Sequence, residues 1–404
     1  MNVLFFHPNF PAQYFYLAQH IAKDSKNKVF FVTKADNGVK LPGVRVVTYQ
    51  LSRPVTSDIH GYISVVEEAI LDGQAVYRAV RELEAQGFKP DVMIGHTGWG
   101  SSLYLKDLYP DVPLIGYFEW YYNAFGSDAK FWEDEFLSLN DTLRIRTKNL
   151  HHLSNLVSCD IGYCPTYWQK QQFPKEFHPK LEVIHEGVDT TLCCPKPEVK
   201  LVLEDISLDL SEQDEIITYV SRGFEPYRGF PQFMDAIRIV LANRPKCHVV
   251  IVGKDRTCYG APSPDNRTYQ QIEMDKGGLD MNRVHFVGLR NRTDYAKILQ
   301  ASTVHVYLTR PFILSWSLME SMAAGCCLVS SATPPVQEVI TSGENGLLAD
   351  FRSPKQIASQ IETALDDANL REKLSKRARE TIVDRYDLDK MLAKQMDLIY
   401  SQIK

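Results

Sequence analysis

Two arginines lie six residues apart in the segment 219–230, where they could bind an anion. A predicted strand delivers Arg222 at its end, and Arg228 follows just before the next helical pattern. Two guanidinium groups at the carboxyl end of a strand suit a diphosphate, which they can hold through paired, charge-assisted hydrogen bonds. The plainer alternative is a surface ion pair between one arginine and Glu225, and the local sequence leaves both open.

A second segment, residues 309–325, combines the end of a strand, a loop with small polar side chains and a helix start near Ser317. Free backbone N–H groups and the helix dipole at such a start bind anions. Ser317 and Glu320 also have the spacing of a capping box, in which Glu320 would reach back to a backbone N–H. The segment predicts an anion site and leaves the role of Glu320 open.

In the first half of the chain, His96 lies at the end of a predicted strand. A single histidine in that place is more often a hydrogen-bonded structural residue than a catalytic one. The stretch 119–123 places three aromatic residues beside Glu119, which suits stacking on a sugar and equally suits a partly buried lid. Residues 185–189 form a strand-end turn for which a structural role is favoured.

These segments belong to a chain that alternates β-branched or aromatic runs with helical patterns, which is typical of parallel α/β folding. The first half has predicted strands at residues 3–6, 29–33, 44–48, 92–95, 114–117, 161–164 and 183–185. The second half has them at residues 216–220, 249–252, 284–287, 304–308, 328–331 and 347–348. Ligands of doubly wound sheets lie at the carboxyl ends of the strands. Two such sheets therefore predict two Rossmann-like domains that face each other across a cleft. Residues 196–214 lack a clear period and are the predicted linker, and residues 354–403 read as helices.

Composition narrows the functional classes. The 404 residues are 44% apolar and 24% charged with a formal net charge of -5, which argues against nucleic acid as a partner. The eight cysteines form no C-x-x-C pair and predict reduced thiols in a cytoplasmic protein. No apolar run is long enough to span a membrane, although peripheral membrane contact stays open. The loop after the first strand, residues 7–13, contains no glycine, which counts against NAD or FAD.

At this point the sequence resembles the retaining glycosyltransferases of family 4, which have the GT-B architecture. The resemblance is carried in chain order by Asn9-Phe10-Pro11, His96-x-Gly98-Trp99-Gly100, Gly116-Tyr117-Phe118-Glu119, Arg222-Gly223-x-Glu225-Pro226-x-Arg228-Gly229-Phe230 and Leu314-Ser315-Trp316-Ser317-x-x-Glu320-x-Met322-Ala323. It implies an acceptor-binding domain over residues 1–200 and a nucleotide-sugar-binding domain over residues 201–380. Residues 381–404 would form a helix that packs back towards the first domain.

The resemblance also implies roles for single residues on the donor side. Arg222 and Arg228 match the basic pair that holds the donor diphosphate, and Glu320 matches the second glutamate of the Glu-x7-Glu motif, which contacts the ribose. The phosphate loop and the base-binding turn match residues Ser315, Trp316, Ser317, Leu318, Leu289 and Arg290.

On the acceptor side, His96 matches a histidine that this family often places beside the reacting sugar. Asn9 and Gln13 lie in the loop that reaches towards the donor in this fold. The remaining residues expected to contact the acceptor or line the cleft are Trp99, Glu119 and Tyr121.

The sequence departs from the family at the first glutamate of Glu-x7-Glu, where Phe312 stands. That glutamate usually touches hydroxyls of the donor sugar, so recognition of the sugar is in question. Arg228 stands in place of the usual lysine, which keeps the charge and adds a bidentate fork.

The implied reaction retains the anomeric configuration and uses neither metal nor cofactor. Arg222, Arg228 and the helix start would stabilise the departing diphosphate, and one such group is commonly worth about 3–4 kcal/mol of barrier. The acceptor would be a carbohydrate or another hydroxyl compound, and UDP is favoured over GDP because UDP-sugars are the commoner donors in this family. Two alternatives stay open: a nucleotide-sugar epimerase on the same fold, and a non-catalytic binding subunit, which Phe312 motivates.

Overall fold

Seven parallel strands form the sheet of the first structural unit in the computed structural model, which describes residues 1–34, 38–263 and 265–403. Unit 1 comprises Met1–Gly187 and Asp389–Lys404. Its strands are β1 (Asn2–Phe6), β2 (Lys28–Thr33), β3 (Val44–Thr48), β4 (Val92–His96), β5 (Leu114–Tyr117), β6 (Ile161–Cys164) and β7 (Leu181–Val183). Most of them are apolar along their whole length because helices cover both faces of a parallel sheet.

The helices of unit 1 connect these strands as crossovers. They are α1 (Phe15–Ala22), α2 (Ser64–Ala85), α3 (Leu105–Leu108), α4 (Leu139–Thr147), α5 (Leu150–Ser158) and α6 (Tyr167–Gln172). The strand order is β3-β2-β1-β4-β5-β6-β7. The chain therefore places β2 and β3 on one side of β1 and then β4 to β7 on the other side.

Unit 2, Val188–Leu388, repeats this plan. After the short strands β8 (Val202–Leu203) and β9 (Leu208–Asp209), its sheet contains β10 (Ile216–Gly223), β11 (His248–Lys254), β12 (Val284–Gly288), β13 (Val304–Tyr307), β14 (Leu328–Ser331) and β15 (Leu347–Ala349). Its helices are α7 (Phe230–Asn243), α8 (Tyr269–Asp275), α9 (Arg292–Gln300), α10 (Trp316–Ala323), α11 (Pro334–Gln337), α12 (Pro354–Asp366) and α13 (Ala368–Arg385). The order β12-β11-β10-β13-β14-β15 reverses between β10 and β13.

Both sheets thus have a topological switch point, between β1 and β4 in unit 1 and between β10 and β13 in unit 2. Crossover connections leave the two strands of such a point in opposite directions, which opens a crevice at their carboxyl ends. The predicted fold class, two Rossmann-like α/β units with doubly wound parallel sheets, is confirmed.

Three details differ from the prediction. Strand β7 ends at Val183 instead of continuing to residue 185, because its pairing with β6 runs only from Leu181 to Val183. The predicted linker contains the antiparallel pair β8–β9. The division between the units falls after Gly187 rather than at residue 200, and Val188 forms a bridge with Asp387, where the chain leaves unit 2.

Helix α14 (Leu388–Gln402) follows this bridge, and its residues from Asp389 onward belong to unit 1. Within unit 1, Gln395 Nε2 donates to the carbonyl of His185 at 3.1 Å.

Among the residues described, no helix combines the length and the apolar character that crossing a membrane requires.

Candidate functional site

The turn after β10 fixes Arg228 at the switch point of unit 2. Gly229 has φ +65°, and a Cβ at this position would lie 2.6 Å from Cβ of Leu308, so the chain can make this turn only with glycine. Tyr219 Oη donates to the carbonyl of Arg228 at 2.7 Å. The backbone is thereby held, and the side chain of Arg228 points towards the end of β13.

The guanidinium of Arg228 is buried and oriented by one of its nitrogens. Its Nη1 donates to Tyr307 Oη at 3.1 Å, to Thr309 Oγ1 at 2.9 Å and to the carbonyl of Ile313 at 2.8 Å. The Nε and Nη2 donors, which form the side-on fork, have no hydrogen-bond partner among the described residues. A fixed guanidinium with an unused fork is suited to a phosphate or carboxylate.

Arg222 differs from Arg228 in its surroundings. It is exposed at the end of β10 and makes no hydrogen bond or ion pair within the described part of the chain. The alternative of an ion pair with Glu225 is wrong, because that carboxylate is fully buried and accepts the backbone N–H groups of Cys258 and Tyr259. Burial raises the pKa of Glu225, and its hydrogen bonds and the charges of the two arginines oppose that shift.

The start of α10 lies next to Arg228 and is connected to it through Tyr307. Tyr307 Oη, which accepts from Arg228, also accepts the backbone N–H of Ser315 at 2.8 Å. Ser315 caps the helix, and its Oγ accepts from the N–H of Ser317 at 3.3 Å. Trp316 is 48% exposed, whereas Ser317 and Leu318 are buried. The helix dipole and the guanidinium therefore act on the same region.

Glu320 lies one turn into α10, and the structure places it outside any capping box. The N-cap is Ser315 rather than Ser317. Glu320 Oε2 accepts from Tyr295 Oη at 2.8 Å, and its Oε1 lies 3.6 Å from Nη2 of Arg292. Burial raises the pKa of Glu320, although the bond from Tyr295 and the charge of Arg292 oppose the rise. The carboxylate is oriented by these partners and is not used to cap the helix.

Leu289 and Arg290 follow β12 and behave differently from each other. Leu289 is 52% exposed and can contact a ligand. Arg290 is held by the carboxylate of Asp205, with Nη1 at 2.8 and 2.7 Å from its two oxygens, and by the carbonyl of Val287. The guanidinium of Arg290 is therefore held by an ion pair, and its predicted role in donor binding stays a prediction.

Phe312 closes the aromatic surroundings of Arg228. The rings of Tyr259 and Phe312 lie 5.2 and 5.8 Å from Cζ of the guanidinium. Phe312 is 7% exposed and meets Tyr227 and Tyr259 edge to face at 5.4 and 5.2 Å. Where the family usually has a carboxylate, this chain has an apolar ring that contacts the arginine through cation–π attraction.

In unit 1, histidines at three strand ends share one backbone arrangement. The Nδ1 atoms of His7, His96 and His185 accept the N–H of the residue two positions later, at 2.9, 3.0 and 3.0 Å. A neutral imidazole that accepts at Nδ1 carries its proton on Nε2. For His7, burial and then the charge of His96 lower the pKa well below its usual value, so this ring is neutral near pH 7.

Glu119 lies at the switch point of unit 1, where His96 and Gln13 contact its carboxylate. His96 Nε2 lies 3.2 Å from Glu119 Oε2, and Gln13 Nε2 donates to Oε1 at 3.1 Å. The backbone carbonyl of Glu119 accepts from Gln169 Nε2 at 2.7 Å. His96 is 4% exposed and Glu119 is 28% exposed, so the carboxylate lies nearer to the solvent than the histidine does.

The other residues predicted on this side, Trp99, Asn9 and Tyr121, have different surroundings. Trp99 is 44% exposed and packs its indole against the rings of His7 and His96 at 6.4 and 6.2 Å. Asn9 is exposed in the loop after β1. Tyr121 packs on Phe173 of the core at 5.4 Å. In the stretch 119–123, Trp120 is buried and the other four residues, Glu119 included, are half-buried.

A second carboxylate adds to the negative charge of this region. Tyr117 Oη donates to Glu186, and His185 Nε2 lies 3.5 Å from the other oxygen of that carboxylate. Burial, and then the charges of Glu186 and Glu119, raise the pKa of Tyr117 well above its usual range. Unit 1 thus carries carboxylates at the place where unit 2 carries arginines.

Several residues of the two sites were not predicted. Tyr307 could have been found, since it lies in the predicted strand 304–308, two residues before the segment that begins at Thr309. Tyr295, His7 and Gln169 gave no local pattern that separates them from structural residues.

In the described ranges, no group of three or more His, Cys, Asp or Glu side chains could hold a metal ion.

Two family models match the chain. Residues 25–193 match "Glycosyl transferase family 4 group", and residues 204–381 match "Glycosyl transferases group 1". Among relatives, D-inositol 3-phosphate glycosyltransferase of Corynebacterium efficiens is 22% identical over 203 residues, 50% of this chain and 46% of the relative. The lipopolysaccharide core biosynthesis glycosyltransferase LpsE of Rhizobium meliloti is 30% identical over 120 residues, 30% and 35% of the two chains. The chain thus matches about half or less of the length of these relatives.

Solved structures share the fold over the whole chain. Anabaena Alr3699/HepE in complex with UDP has a TM-score of 0.69 at 17% identity and covers 99% of this chain and 100% of its own. Sucrose-phosphate synthase from Thermosynechococcus elongatus has a TM-score of 0.72 at 17% identity, with 100% and 98% covered. The two family models, on a chain with two doubly wound units, show that this protein belongs to the family 4, group 1 glycosyltransferases of GT-B type.

Proposed function

We propose that the protein transfers a sugar from a UDP-sugar to an acceptor hydroxyl with retention of configuration and without a metal ion. The observation that carries this proposal is Arg228, a buried guanidinium with an unused fork at the switch point of unit 2. Unit 2 would bind the donor and unit 1 the acceptor.

The chemistry assigned to unit 2 is stabilisation of the leaving group. The bond between the anomeric carbon and the diphosphate oxygen breaks, and a bond to the acceptor oxygen forms on the same face of the sugar. The proton of the acceptor hydroxyl ends on the released nucleoside diphosphate. Arg228, Arg222 and the start of α10 would balance the charge that develops on the diphosphate.

Three further observations support the nucleotide assignment. Glu320 presents a carboxylate held by Tyr295, as hydrogen bonding to ribose hydroxyls requires. Leu289 offers an exposed apolar side chain after β12 that can contact a base. UDP is the favoured nucleotide because HepE, which shares this fold, was solved in complexes with UDP and with UDP-glucose.

Phe312 favours one other candidate, a subunit that binds a nucleotide without turnover. Its ring stands where the family usually places a carboxylate that touches the donor sugar. The two candidates separate in an assay of UDP release from a panel of UDP-sugars. Nucleotide binding with no release in any reaction would support the binding subunit.

Thermal unfolding with UDP, GDP, ADP and CMP tests the donor site. A ligand at about 100 times its Kd adds about 2.7 kcal/mol, which is a shift of a few degrees for domains of this size. We expect UDP to stabilise the wild type and the shift to disappear in Arg222→Ala and Glu320→Gln. Arg377→Ala and Glu380→Gln are matched controls, because these residues form an exposed pair on α13. If no nucleotide shifts the wild type, the assignment is wrong.

A further inference from the structure

We propose that unit 1 binds the acceptor as an uncharged sugar ring, which stacks on Trp99 while one of its hydroxyls donates to Glu119. This inference rests on the proposed function and adds the chemical class of the acceptor. It also makes His96 a positioning residue that acts through Glu119.

The first step concerns which group can reach a ligand. Both nitrogens of His96 are occupied within unit 1, Nδ1 by the N–H of Gly98 and Nε2 by Glu119. The ring is also almost fully buried. Glu119 is the partly exposed end of this chain of hydrogen bonds, so a ligand meets the carboxylate before it meets the histidine.

The second step concerns how firmly the carboxylate is placed. Its two oxygens are held by residues from different strand ends, His96 after β4 and Gln13 in the loop after β1. Its backbone carbonyl is held by Gln169 on α6. A carboxylate fixed from three elements loses little conformational entropy when a hydroxyl binds, which favours affinity.

The third step concerns charge. The negative charges of Glu119 and Glu186 both help to raise the pKa of Tyr117, and the neighbouring ring of His7 is neutral. A phosphate or carboxylate placed beside Glu119 would meet like charge, whereas a sugar hydroxyl would donate a charge-assisted hydrogen bond. The electrostatics therefore select a hydroxyl and reject an anion.

The fourth step concerns the apolar part of the subsite. Trp99 exposes 44% of its surface, and the rings of His7 and His96 lie beside its indole with centroids at 6.4 and 6.2 Å. A rigid apolar face beside one well-placed polar group is the usual composition of a small-molecule site. It fits a sugar ring, which has an apolar C–H face and a rim of hydroxyls.

Ligand-detected NMR on the full chain without nucleotide tests the acceptor class. The probes are the methyl glycosides of glucose, galactose and mannose, each paired with its 6-phosphate and its uronic acid. We expect saturation transfer to at least one neutral glycoside and at least about 10-fold weaker binding of its charged partners. Equal or stronger binding of the charged partners, or no transfer to any neutral glycoside, would overturn the proposal.

Variants identify the residues. Glu119→Gln keeps the size of the side chain and removes its charge, so we expect the preference for the neutral probe to fall to within about 3-fold. Trp99→Ala should abolish transfer to the neutral probe. Glu176→Gln and Tyr400→Ala are controls that alter an exposed carboxylate and an exposed aromatic ring of unit 1. An unchanged preference in Glu119→Gln would contradict the assignment.

The role of His96 is tested by kinetics once a turnover assay exists. A positioning residue predicts that His96→Ala raises the KM for the acceptor about 10-fold and that His96→Gln, which retains an N–H donor, restores it to within about 3-fold. A fall in kcat with unchanged KM would instead place His96 on the reacting sugar. Glycoside binding is measured without nucleotide and nucleotide binding by thermal shift, so failure of either proposal can be told from failure of the other.

Discussion

The switch points of the two units share a topology and differ in charge. In unit 2, the crevice between β10 and β13 contains Arg228, whose charge is buried and whose fork is unused. In unit 1, the equivalent crevice between β1 and β4 contains Glu119, a carboxylate that His96 and Gln13 hold in place. The fold supplies the location, and we propose that the side chains at the strand ends select an anion in unit 2 and a hydroxyl in unit 1.

Removal of Arg228 breaks this contrast most directly and should have the largest effect. We expect Arg228→Ala to lower turnover about 100- to 1,000-fold, as loss of one charge-stabilising donor usually does. Arg228→Lys keeps the charge without the fork and should recover part of the rate. Steady-state kinetics measure this, with circular dichroism to check folding. Activity of Arg228→Ala within about 3-fold of the wild type would contradict the role.

The substitution Phe312→Glu would introduce into the site of unit 2 a carboxylate like those found in unit 1. In Phe312→Glu a carboxylate would lie near the guanidinium, now 5.8 Å from the ring, and compete with the diphosphate. We expect affinity for UDP to fall about 10-fold in titration calorimetry. Phe312→Leu keeps the site apolar and should stay within about 3-fold. Tighter binding by Phe312→Glu would show that the aromatic ring hinders the donor site.

The pH dependence of nucleotide binding sharpens the role of Glu320. Burial raises the pKa of this carboxyl, and the bond from Tyr295 opposes the rise. Because ribose hydroxyls need the ionised form as acceptor, affinity should be constant at high pH and fall as pH drops through the raised pKa. Tyr295→Phe removes the opposing bond, so the loss should begin at higher pH, with affinity about 3- to 10-fold lower. A pH profile identical to that of the wild type would rule out this coupling.

Acid sensitivity should be the smallest effect, and the buried histidines of unit 1 should contribute to it. Burial is the main cause that lowers the pKa of His7, His151 and His152. The unfolded chain takes up protons near pH 6.5 that the folded chain does not, so stability is present above that pH and is lost below it. Each of these histidines should therefore lower the free energy of unfolding as the pH falls below 6.5. Thermal unfolding of His152→Gln should show a smaller fall in Tm than the wild type over this range, and an equal fall would contradict the account.

The sequence predicted the sheets well because buried parallel strands are continuous apolar runs. Strand β1, for example, was expected at residues 3–6 and spans Asn2–Phe6. The position of β7 depends on its register with β6, which local composition does not specify. Because these apolar runs also show where each strand ends, both arginines and His96 could be placed near strand ends.

Partners distant in sequence could not be predicted. Glu320 is held by Tyr295 on α9, and Arg290 is held by Asp205, which is 85 residues earlier in the chain. The local spacing instead suggested a capping box for Glu320, and that prediction is wrong because the N-cap is Ser315, two residues before Ser317. Long-range hydrogen bonds of this kind depend on packing between elements, which sequence periodicity does not contain.

Hydrogen–deuterium exchange with and without UDP tests the central claim, that the donor nucleotide binds at the arginine-bearing switch point. We predict that UDP slows exchange in residues 222–229 and 309–320 of unit 2 and leaves residues 7–13 and 96–99 of unit 1 unchanged. Protection of the unit 1 segments without protection of the unit 2 segments would contradict the account.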